Sequence, residues 1–307
     1  MAERGDSQQS ERDETARPSG AGPALSVCIV NWNTRDLLRA CLQSLKRCPP
    51  TAGLEVIVVD NASDDASGEM VAREFPEARL VANSENRYYA AASNQAIAVS
   101  RGAYLLLLNP DAEVTAGALD RLVEFLRSHP EAGAVAPRLV GPDGETQLSC
   151  RGFPEPGPLF ADALGLARLL PRSRWLGRYR MAFWDHGDLR EVEQPMASAL
   201  LLRRPALDQI GAFDVSFPMF FNDVDLCYRL RQAGWRIYFE PAATVLHHHG
   251  ASTSQARREM IVESHRSLRL FYRKHYRGRL GYWPVLALNR VALWLRLASL
   301  RLRGGAR

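Results

Sequence analysis

The sequence predicts an α/β fold, in which a mostly parallel, doubly wound sheet carries helices on both faces. Short apolar runs typical of buried strands alternate with helical patterns at intervals of about 20–25 residues. Three of these runs end in Asn or Asp, as expected where the strands of an open parallel sheet reach a ligand-binding edge. The 307 residues, 46% of them hydrophobic, suffice for one such domain with appendages.

The first half of the chain supplies the regular part of this pattern. Apolar runs predict strands at 25–30, 54–59, 78–83 and 104–108. Helical patterns lie between them at 36–47, 68–74 and 91–100. The first helix is expected to end before Pro49 and Pro50, since the residue before a proline avoids the helical conformation.

The second half is less regular. Strands are predicted at 198–203, at 236–239 and from 245 onward, and helices at 205–210 and 222–234. Gly211 and Gly234 provide the stops of these two helices. Residues 141–158 are rich in Gly and Pro and are predicted to form a loop, and residues 160–189 are predicted to be irregular.

The N-terminal end and the cysteines narrow the class of protein. Residues 1–23 are polar, charged and poor in apolar residues, so we expect a disordered tail and no signal peptide. The five cysteines show no CxxC spacing, which argues against a disulfide framework or a zinc ribbon and favours the cytoplasm. The domain itself is predicted to span 24–255.

Residues 256–307 form a predicted helical extension with a strong positive charge. From 257 onward there are 13 Lys and Arg against two Glu. Residues 280–302 are apolar-rich but contain Arg290 and Arg296, which would be costly inside a bilayer, so no membrane span is predicted. Two interpretations stay open: an interfacial helix on an anionic surface such as the inner face of the plasma membrane, or a helix packed on the domain. No nucleic-acid partner is predicted.

Asp111 follows the strongest strand pattern of the chain. The apolar run 104–108 stops at Asn109, Pro110 and Asp111, and ligands bind beyond the carboxyl ends of such strands. The alternative is that Asp111 only caps the element that follows. The polar residues that end the two earlier strands are expected at the same edge: Asn31, Asn33, Asp60 and Asn61.

A second group of acids lies at a predicted helix start. Asp223 and Asp225 fall in the first turn of the 222–234 helix, where the helix dipole stabilises the ionised carboxylate. An ionised carboxylate beside a reaction centre can act as a general base. Alternatively, both acids serve only the helix start.

Three consecutive histidines, His247, His248 and His249, follow the last predicted strand. Imidazole and carboxylate ligands together suit ions such as Mn²⁺ or Mg²⁺. Because alternate residues of a strand share a face, His247 and His249 are expected on one side and His248 on the other. One of them could complete a metal site with Asp111, although a structural role remains open.

Together these motifs resemble those of family 2 glycosyltransferases, in the rhamnosyltransferase-like branch. The resemblance covers about residues 25–252 and rests on five segments in order: VCIVNWN (27–33), VVDNASDD (58–65), LLNPD (107–111), NDVDL (222–226) and HHHG (247–250). It implies a GT-A fold, a nucleotide-diphosphate sugar donor, a divalent cation (Mn²⁺ or Mg²⁺) and inversion at the anomeric carbon. The branch suggests dTDP-L-rhamnose as donor and a glycan or lipid-linked acceptor in cell-envelope polysaccharide synthesis.

The resemblance also implies roles for individual residues. Asn31, Asn33 and Asp60 would contact the donor nucleotide. Asn109 and Asp111 would occupy the place of the DxD motif, with Asp111 binding the metal. Asp223 matches the general base and His247 the metal-binding histidine. Further candidates are Asn61 and Arg87 for the donor, and Asp225 and His249 as additional site residues.

The chain departs from the family pattern at three places. Asn109 replaces the first Asp of DxD, Asn222 replaces the Glu before the base, and Tyr88-Tyr89 stands where the family usually has Gly-Phe. The two amides keep open a non-catalytic nucleotide-sugar-binding or scaffold protein. A nucleotidyltransferase is the other alternative, disfavoured because the loop 31–35 contains no glycine.

Overall fold

The computed structural model describes residues 23–170, 173–248 and 257–304. Its strands are β1 (Leu25–Asn31), β2 (Leu54–Asp60), β3 (Arg79–Ala82), β4 (Tyr104–Leu108), β5 (Ala112–Val114), β6 (Ala132–Val140), β7 (Cys150–Arg151), β8 (Arg190–Glu191), β9 (Gln194–Pro195), β10 (Ala199–Arg203) and β11 (Arg236–His247). Its helices are α1 (Arg35–Arg47), α2 (Ser67–Glu74), α3 (Tyr88–Val99), α4 (Ala118–Ser128), α5 (Pro156–Ala163), α6 (Leu166–Leu169), α7 (Arg204–Ile210), α8 (Asn222–Gln232), α9 (Arg257–His275) and α10 (Tyr282–Gly304). The predicted N-terminal tail lies, except for residue 23, outside the described residues.

The main sheet is mostly parallel, as the sequence predicts. Its strand order is β3-β2-β1-β4-β10-β6-β11-β5, with β8 paired to β11. β1 runs parallel to β2 and to β4, and Ile29 lies opposite both Val58 and Leu108. β10 runs antiparallel to β4 and β6. The carboxyl ends of β1, β2 and β4 therefore meet at one edge.

Strand β4 separates two hydrophobic cores. Leu105 and Leu107 belong to the core that includes side chains of α3, α8 and α9. Leu106 and Leu108 belong to the core beneath α1, α2 and α4. Because side chains alternate between the faces of a strand, a strand covered on both sides must be apolar throughout. The unbroken leucine run is explained by this double burial.

Two predictions between residues 141 and 189 are wrong in part. The segment predicted as loop contains β7 and the start of α5, and the segment predicted as irregular contains the second half of α5 together with α6. Pro156 and Pro158 lie in the first turn of α5, where the missing N–H of proline has no helical partner to lose. The Gly- and Pro-rich composition therefore marked a helix start. The patterns also assigned no element to 112–140, where β5, α4 and β6 lie.

The two late strands predicted at 236–239 and from 245 are one strand, β11. Its pairing with β6 shifts register between Glu240 and Thr244, and Pro241 lies at this irregularity. Proline has no N–H to donate to the ladder, so it interrupts the pairing without ending the strand. The strand delivers His247 to the same edge as Asp111.

The C-terminal helices pack on the domain. Phe271, Tyr272 and Tyr276 are fully buried in the core shared with α8, and Tyr282 and Val285 of α10 join them. The inner face of the extension thus matches the packed interpretation, while its outer face is exposed. Within the described residues no helix is long and apolar enough to cross a membrane.

Candidate active site

A cavity of about 1080 Å³ opens beyond the carboxyl ends of β1, β2 and β4. It is lined from several parts of the chain, because the parallel strands end together and β11 and α8 close it from the other side. The predicted site residues that line it are Asn61, Asn109, Asp111, Asp223 and His247. The structure therefore brings five residues, spread over nearly 190 positions of the sequence, to one place.

Asn31 and Asp60, at the ends of β1 and β2, are buried and joined by a hydrogen bond. Asn31 Nδ2 donates to Asp60 Oδ1 at 2.9 Å and to Ser63 Oγ at 3.1 Å, and Asn31 Oδ1 accepts from Thr34 Oγ1 at 2.7 Å. Ser63 Oγ also donates to Asp60 Oδ1 at 2.7 Å. Both N–H groups of the Asn31 amide are thus used, so Asn31 shapes the site by positioning the loop after β2.

Asn33 joins the same two loops. Its φ of +52° lies in the left-handed region, which Asn tolerates better than most residues. Its backbone N–H donates to Ser63 Oγ at 2.9 Å, and its Oδ1 accepts from the Asp64 N–H at 2.8 Å. Asn33 therefore fastens the loop after β1 to the loop after β2.

Asn61 organises the turn that leads into α3. Its Nδ2 donates to Asn86 Oδ1 at 2.8 Å, and its Oδ1 accepts from the Arg87 N–H at 3.0 Å. The structure does not bring the Arg87 side chain to the cavity: it is half exposed and lies 3.9 Å from Glu85. Tyr88 takes that place at the cavity wall, with a φ of +59°.

Asp111 and His247 face each other at the cavity. Pairing of β5 with β11 sets Ala112 opposite His247, which places the Asp111 Oδ1 atom 3.4 Å from His247 Nε2. Asp111 Oδ1 is buried and has no hydrogen bond within the described part of the chain. A buried carboxylate oxygen in this situation is costly unless a further group satisfies it.

The ring of His247 is held by Gln147. Gln147 Nε2 donates to the His247 carbonyl oxygen at 2.8 Å, so Gln147 Oε1 is the atom 2.8 Å from His247 Nδ1. Since Oε1 can only accept, Nδ1 carries a proton, and Nε2 is the ring nitrogen that faces Asp111. His248 points to Glu113, 3.1 Å away, as the alternation predicts. His249 lies outside the described residues.

These two side chains fit a divalent cation. No group of three or more His, Cys, Asp or Glu suited to a metal occurs within the described ranges, so the described residues offer two ligands there. A carboxylate with an imidazole suits Mn²⁺-like ions, and Mg²⁺ commonly takes one or two carboxylates together with substrate phosphates. Two observations agree with that donor set: the buried Asp111 Oδ1 has no hydrogen bond within the described residues, and Gln147 orients the His247 ring so that Nε2 faces it.

Asp223 lines the cavity at the start of α8. Burial raises the pKa of its carboxyl above the ordinary value, although its Oδ1 accepts the Val224 N–H at 2.8 Å. The preceding Asn222 accepts the Asp223 N–H at 2.7 Å and donates to the Met219 carbonyl at 3.1 Å. A glutamate at 222 could not make that donation, which gives the amide a structural reason.

The structure does not bring Asp225 to the cavity. It is fully buried and contacts Arg229 Nε at 2.7 Å, Lys274 Nζ at 2.8 Å and His275 Nε2 at 2.7 Å. Burial alone would raise its pKa, but hydrogen bonds from these three groups lower the pKa below the ordinary value. Asp225 therefore ties α8 to α9.

Three contributors to the site escaped the sequence patterns. Gln147 lies in a Gly- and Pro-rich segment with no periodic signal, and Ser198 Oγ accepts from Asn109 Nδ2 at 3.3 Å. The first turns of α9 also line the cavity, with Arg258 and Arg266 among their residues. Arg258 and Arg266 reach the cavity only because the C-terminal extension packs back onto the domain, so no local sequence pattern could have predicted their position.

Residues 26–171 match the family model described as "Glycosyl transferase family 2". The chain is also 31% identical over 267 residues to an N-acetylglucosaminyl-diphospho-decaprenol L-rhamnosyltransferase of Mycobacterium tuberculosis. That alignment covers 83% of this chain and 85% of the relative. The likeness therefore extends over most of both proteins.

Two solved structures share the fold. A mannosyltransferase from Pyrobaculum calidifontis, in complex with GDP-Man and Mn²⁺, aligns with a TM-score of 0.56 and 20% identity over 95% of this chain and 79% of that one. GalNAc-T7 with UDP, GalNAc and Mn²⁺ aligns with a TM-score of 0.57 and 15% identity over 80% of this chain and 47% of that one. These likenesses confirm the expected GT-A fold.

Proposed function

Because this chain belongs to glycosyl transferase family 2, we propose that it is an inverting, metal-dependent enzyme that transfers a sugar from a nucleotide-diphosphate donor to a hydroxyl group of its acceptor. The observation that carries the proposal is the meeting of Asp111, His247 and Asp223 at one cavity on the carboxyl edge of the sheet. These residues supply a cation site and a base in the same cavity.

The donor is proposed to be dTDP-L-rhamnose and the acceptor a lipid-linked glycan of cell-envelope synthesis. The name of the mycobacterial relative supports L-rhamnose as the transferred sugar and a lipid-linked acceptor. The nucleotide would lie beside the loops after β1 and β2, which Asn31, Asn33 and Asp60 hold in place, with Asn61 at the cavity wall. Asn109 would contact the donor from the end of β4.

Asp223 would act on the acceptor. Its carboxylate takes the proton of the attacking hydroxyl, which becomes a better nucleophile as the bond to the anomeric carbon forms. Such general-base assistance contributes roughly 10²–10⁴ in rate. Asp111 and His247 would hold Mn²⁺ or Mg²⁺, and a bound divalent cation supplies the positive charge that stabilises a departing diphosphate.

A scaffold protein without activity is the alternative to this proposal. Asn109 and Asn222 are the residues that would favour it. Asn222 has a structural use, however, since its Oδ1 accepts the Asp223 N–H and its Nδ2 donates to the Met219 carbonyl. The replacement of an acid at this position is therefore compatible with an active site.

A donor panel tests the proposed reaction. Nucleotide release would be measured from UDP-, GDP- and dTDP-sugars with Mn²⁺ or Mg²⁺, in the presence of a polyprenyl-diphosphate-linked GlcNAc acceptor. We expect turnover with dTDP-L-rhamnose that is lost in Asp223→Asn. Tight nucleotide binding without hydrolysis or transfer of any donor would instead favour the scaffold protein.

The proposed place of action is the inner face of the plasma membrane, with the C-terminal extension as the contact. A lipid-linked acceptor would be presented there. The extension is basic from residue 264 to its end, with no Asp or Glu, and anionic leaflets attract such segments.

A further inference from the structure

We propose that α10 and the α5–α6 segment form one composite surface that binds the interface of an anionic bilayer. This surface, called here the bilayer-binding surface, is defined by Leu164, Leu169, Trp175, Leu280, Trp283 and Trp294. The inference rests on the proposed location at the membrane and is independent of the transfer chemistry. It adds a second segment that the sequence did not connect with the C-terminal extension.

The outer face of α10 has the composition of an interfacial helix. Trp283 is 75% exposed and Trp294 is 68% exposed. At 100° per residue, eleven positions place the two indoles on the same side, with the exposed Arg290 between them. Tryptophan is enriched at the headgroup level of membranes because its ring is apolar and its N–H is polar.

The opposite face of α10 is already in use. Tyr282, Val285 and Asn289 are buried, and Asn289 Oδ1 lies 2.5 Å from His265 Nδ1 of α9. The helix is therefore fixed in rotation on the domain. Because it cannot turn its indoles inward, the exposed Trp face is a constant feature of the surface.

The α5–α6 segment exposes a second set of large apolar side chains. Leu169 is 76% exposed, Leu164 is 67% exposed and Trp175 is 60% exposed. Isolated exposed apolar residues are ordinary, but a contiguous group of them marks an interaction site. The group lies within twelve residues of the chain.

The two sets are neighbours in the fold. A Cβ at Gly281, between Leu280 and Tyr282, would come within 2.6 Å of Pro156 at the start of α5. A Cβ at Gly157 would come within 3.1 Å of the Trp175 ring. The start of α10 and Trp175 therefore both lie against the first turn of α5, so one end of each apolar set is next to the other.

Charge identifies the partner. Residues 264–304 contain ten Lys and Arg and no Asp or Glu, and residues 163–184 contain five Arg and no acid. Part of both charges is used within the protein, since Arg178 pairs with Glu155 and Glu193 and Arg180 with Asp162. Likewise, Arg266 pairs with Glu263, and Lys274 with Asp214 and Asp225. The remaining excess complements an anionic leaflet and would oppose a second copy of the same surface.

Vesicle flotation of the full-length protein tests the inference. Binding would be measured with vesicles of phosphatidylcholine alone and with phosphatidylglycerol added. We expect the wild-type protein to bind only the anionic vesicles. L164S/L169S and W283S/W294S should each lower the partition coefficient roughly tenfold or more, because each double variant removes two large apolar side chains that the wild type would bury at the membrane interface. The matched control is L189S/V215S, which removes two exposed apolar side chains outside the surface.

Each outcome has a distinct meaning. Binding of L164S/L169S equal to wild type would overturn the composite surface while leaving α10 as the contact. No binding of the wild-type chain would overturn the proposed location as well, whereas donor turnover measured in the same preparation reports on the proposed reaction alone. A dimer in light scattering that the serine variants dissociate would assign the surface to a second copy. Thermal midpoints equal to wild type exclude misfolding of the variants.

Discussion

Gln147 and His247, one hundred positions apart, are joined by two hydrogen bonds that run in opposite directions between an amide, a backbone carbonyl and an imidazole. This pair leaves His247 Nε2 facing Asp111 Oδ1 at 3.4 Å. A histidine that binds a metal commonly donates its other ring N–H to such an acceptor. Gln147 thus positions the imidazole of His247 beside Asp111.

The first prediction concerns Gln147. Without the amide, the His247 ring loses the partner that fixes its tautomer, so Gln147→Ala is expected to lower Mn²⁺ affinity about 10- to 100-fold. Calorimetric or EPR titration with Mn²⁺ and nucleotide measures this directly. Gln147→Glu keeps an acceptor for Nδ1 and should recover part of the affinity. Gln209→Ala, at a surface glutamine, is the control, and unchanged affinity in Gln147→Ala would disprove the positioning role.

The second prediction separates stability from metal binding at Asp111. Its buried oxygen lacks a hydrogen bond within the described residues, so Asp111→Asn should leave the metal-free protein at least as stable as wild type. At a hundred times Kd, Mn²⁺ should stabilise the wild type by about 2.7 kcal/mol and the variant hardly at all. Thermal unfolding with and without Mn²⁺ measures both. Equal Mn²⁺ shifts in the two proteins would rule out Asp111 as a ligand.

The third prediction concerns the proposed base. Asp223→Asn should lower kcat by roughly 10²–10⁴ while nucleotide affinity is retained. Burial raises the pKa of Asp223, and the base works only when deprotonated. In the pH profile of kcat/KM, activity should therefore fall with decreasing pH, with an apparent pKa above the ordinary carboxyl value of about 4. If Asp223→Asn retained the same fall in kcat/KM at acidic pH, Asp223 would not be the group that causes it.

The fourth prediction concerns the buried Asp225. Asp225→Ala leaves Arg229, Lys274 and His275 without the carboxylate that they contact and should destabilise the fold by about 3 kcal/mol. Because the folded-state pKa is lowered, the stabilisation is present above the unfolded-state pKa of about 4 and is lost as pH falls through the folded value. Denaturant unfolding between pH 7 and pH 3 measures this. The control, Asp208→Ala at an exposed position, should change the free energy of unfolding by less than about 0.5 kcal/mol. An equally small change for Asp225→Ala would show that Asp225 does not stabilise the packing of α8 on α9.

The fifth prediction concerns Tyr88, whose φ of +59° suits glycine better than tyrosine. Tyr88→Gly relieves this backbone strain but raises the conformational entropy of the unfolded chain. The two effects oppose each other, so the free energy of unfolding should change by less than about 1 kcal/mol. The lost ring at the cavity wall should nevertheless raise donor KM roughly three- to tenfold. Tyr88→Phe keeps the ring and is the control. A KM equal to wild type in Tyr88→Gly would place the ring outside the donor site.

The strands and the polar edge were predictable because each is a local pattern. The run 104–108 is apolar throughout since both faces of β4 are covered, and this can be recognised without knowing the covering helices. The polar residues after β1, β2 and β4 follow from where those strands end. The helix at 156–163 was missed because its two prolines signal both a turn and a helix start.

The sequence by itself determined strands β1 to β4 and β10, the ligand-binding edge and the polar residues that end β1, β2 and β4, since these patterns involve only a few neighbouring positions. Tertiary structure alone decided which polar groups meet. It turned Arg87 away from the cavity and enclosed Asp225 among three basic side chains of α8 and α9. It also brought Gln147 to His247 and the start of α9 to the cavity wall. Those contacts join positions far apart in the chain, so they depend on how β11, α8 and α9 pack, which no short pattern records.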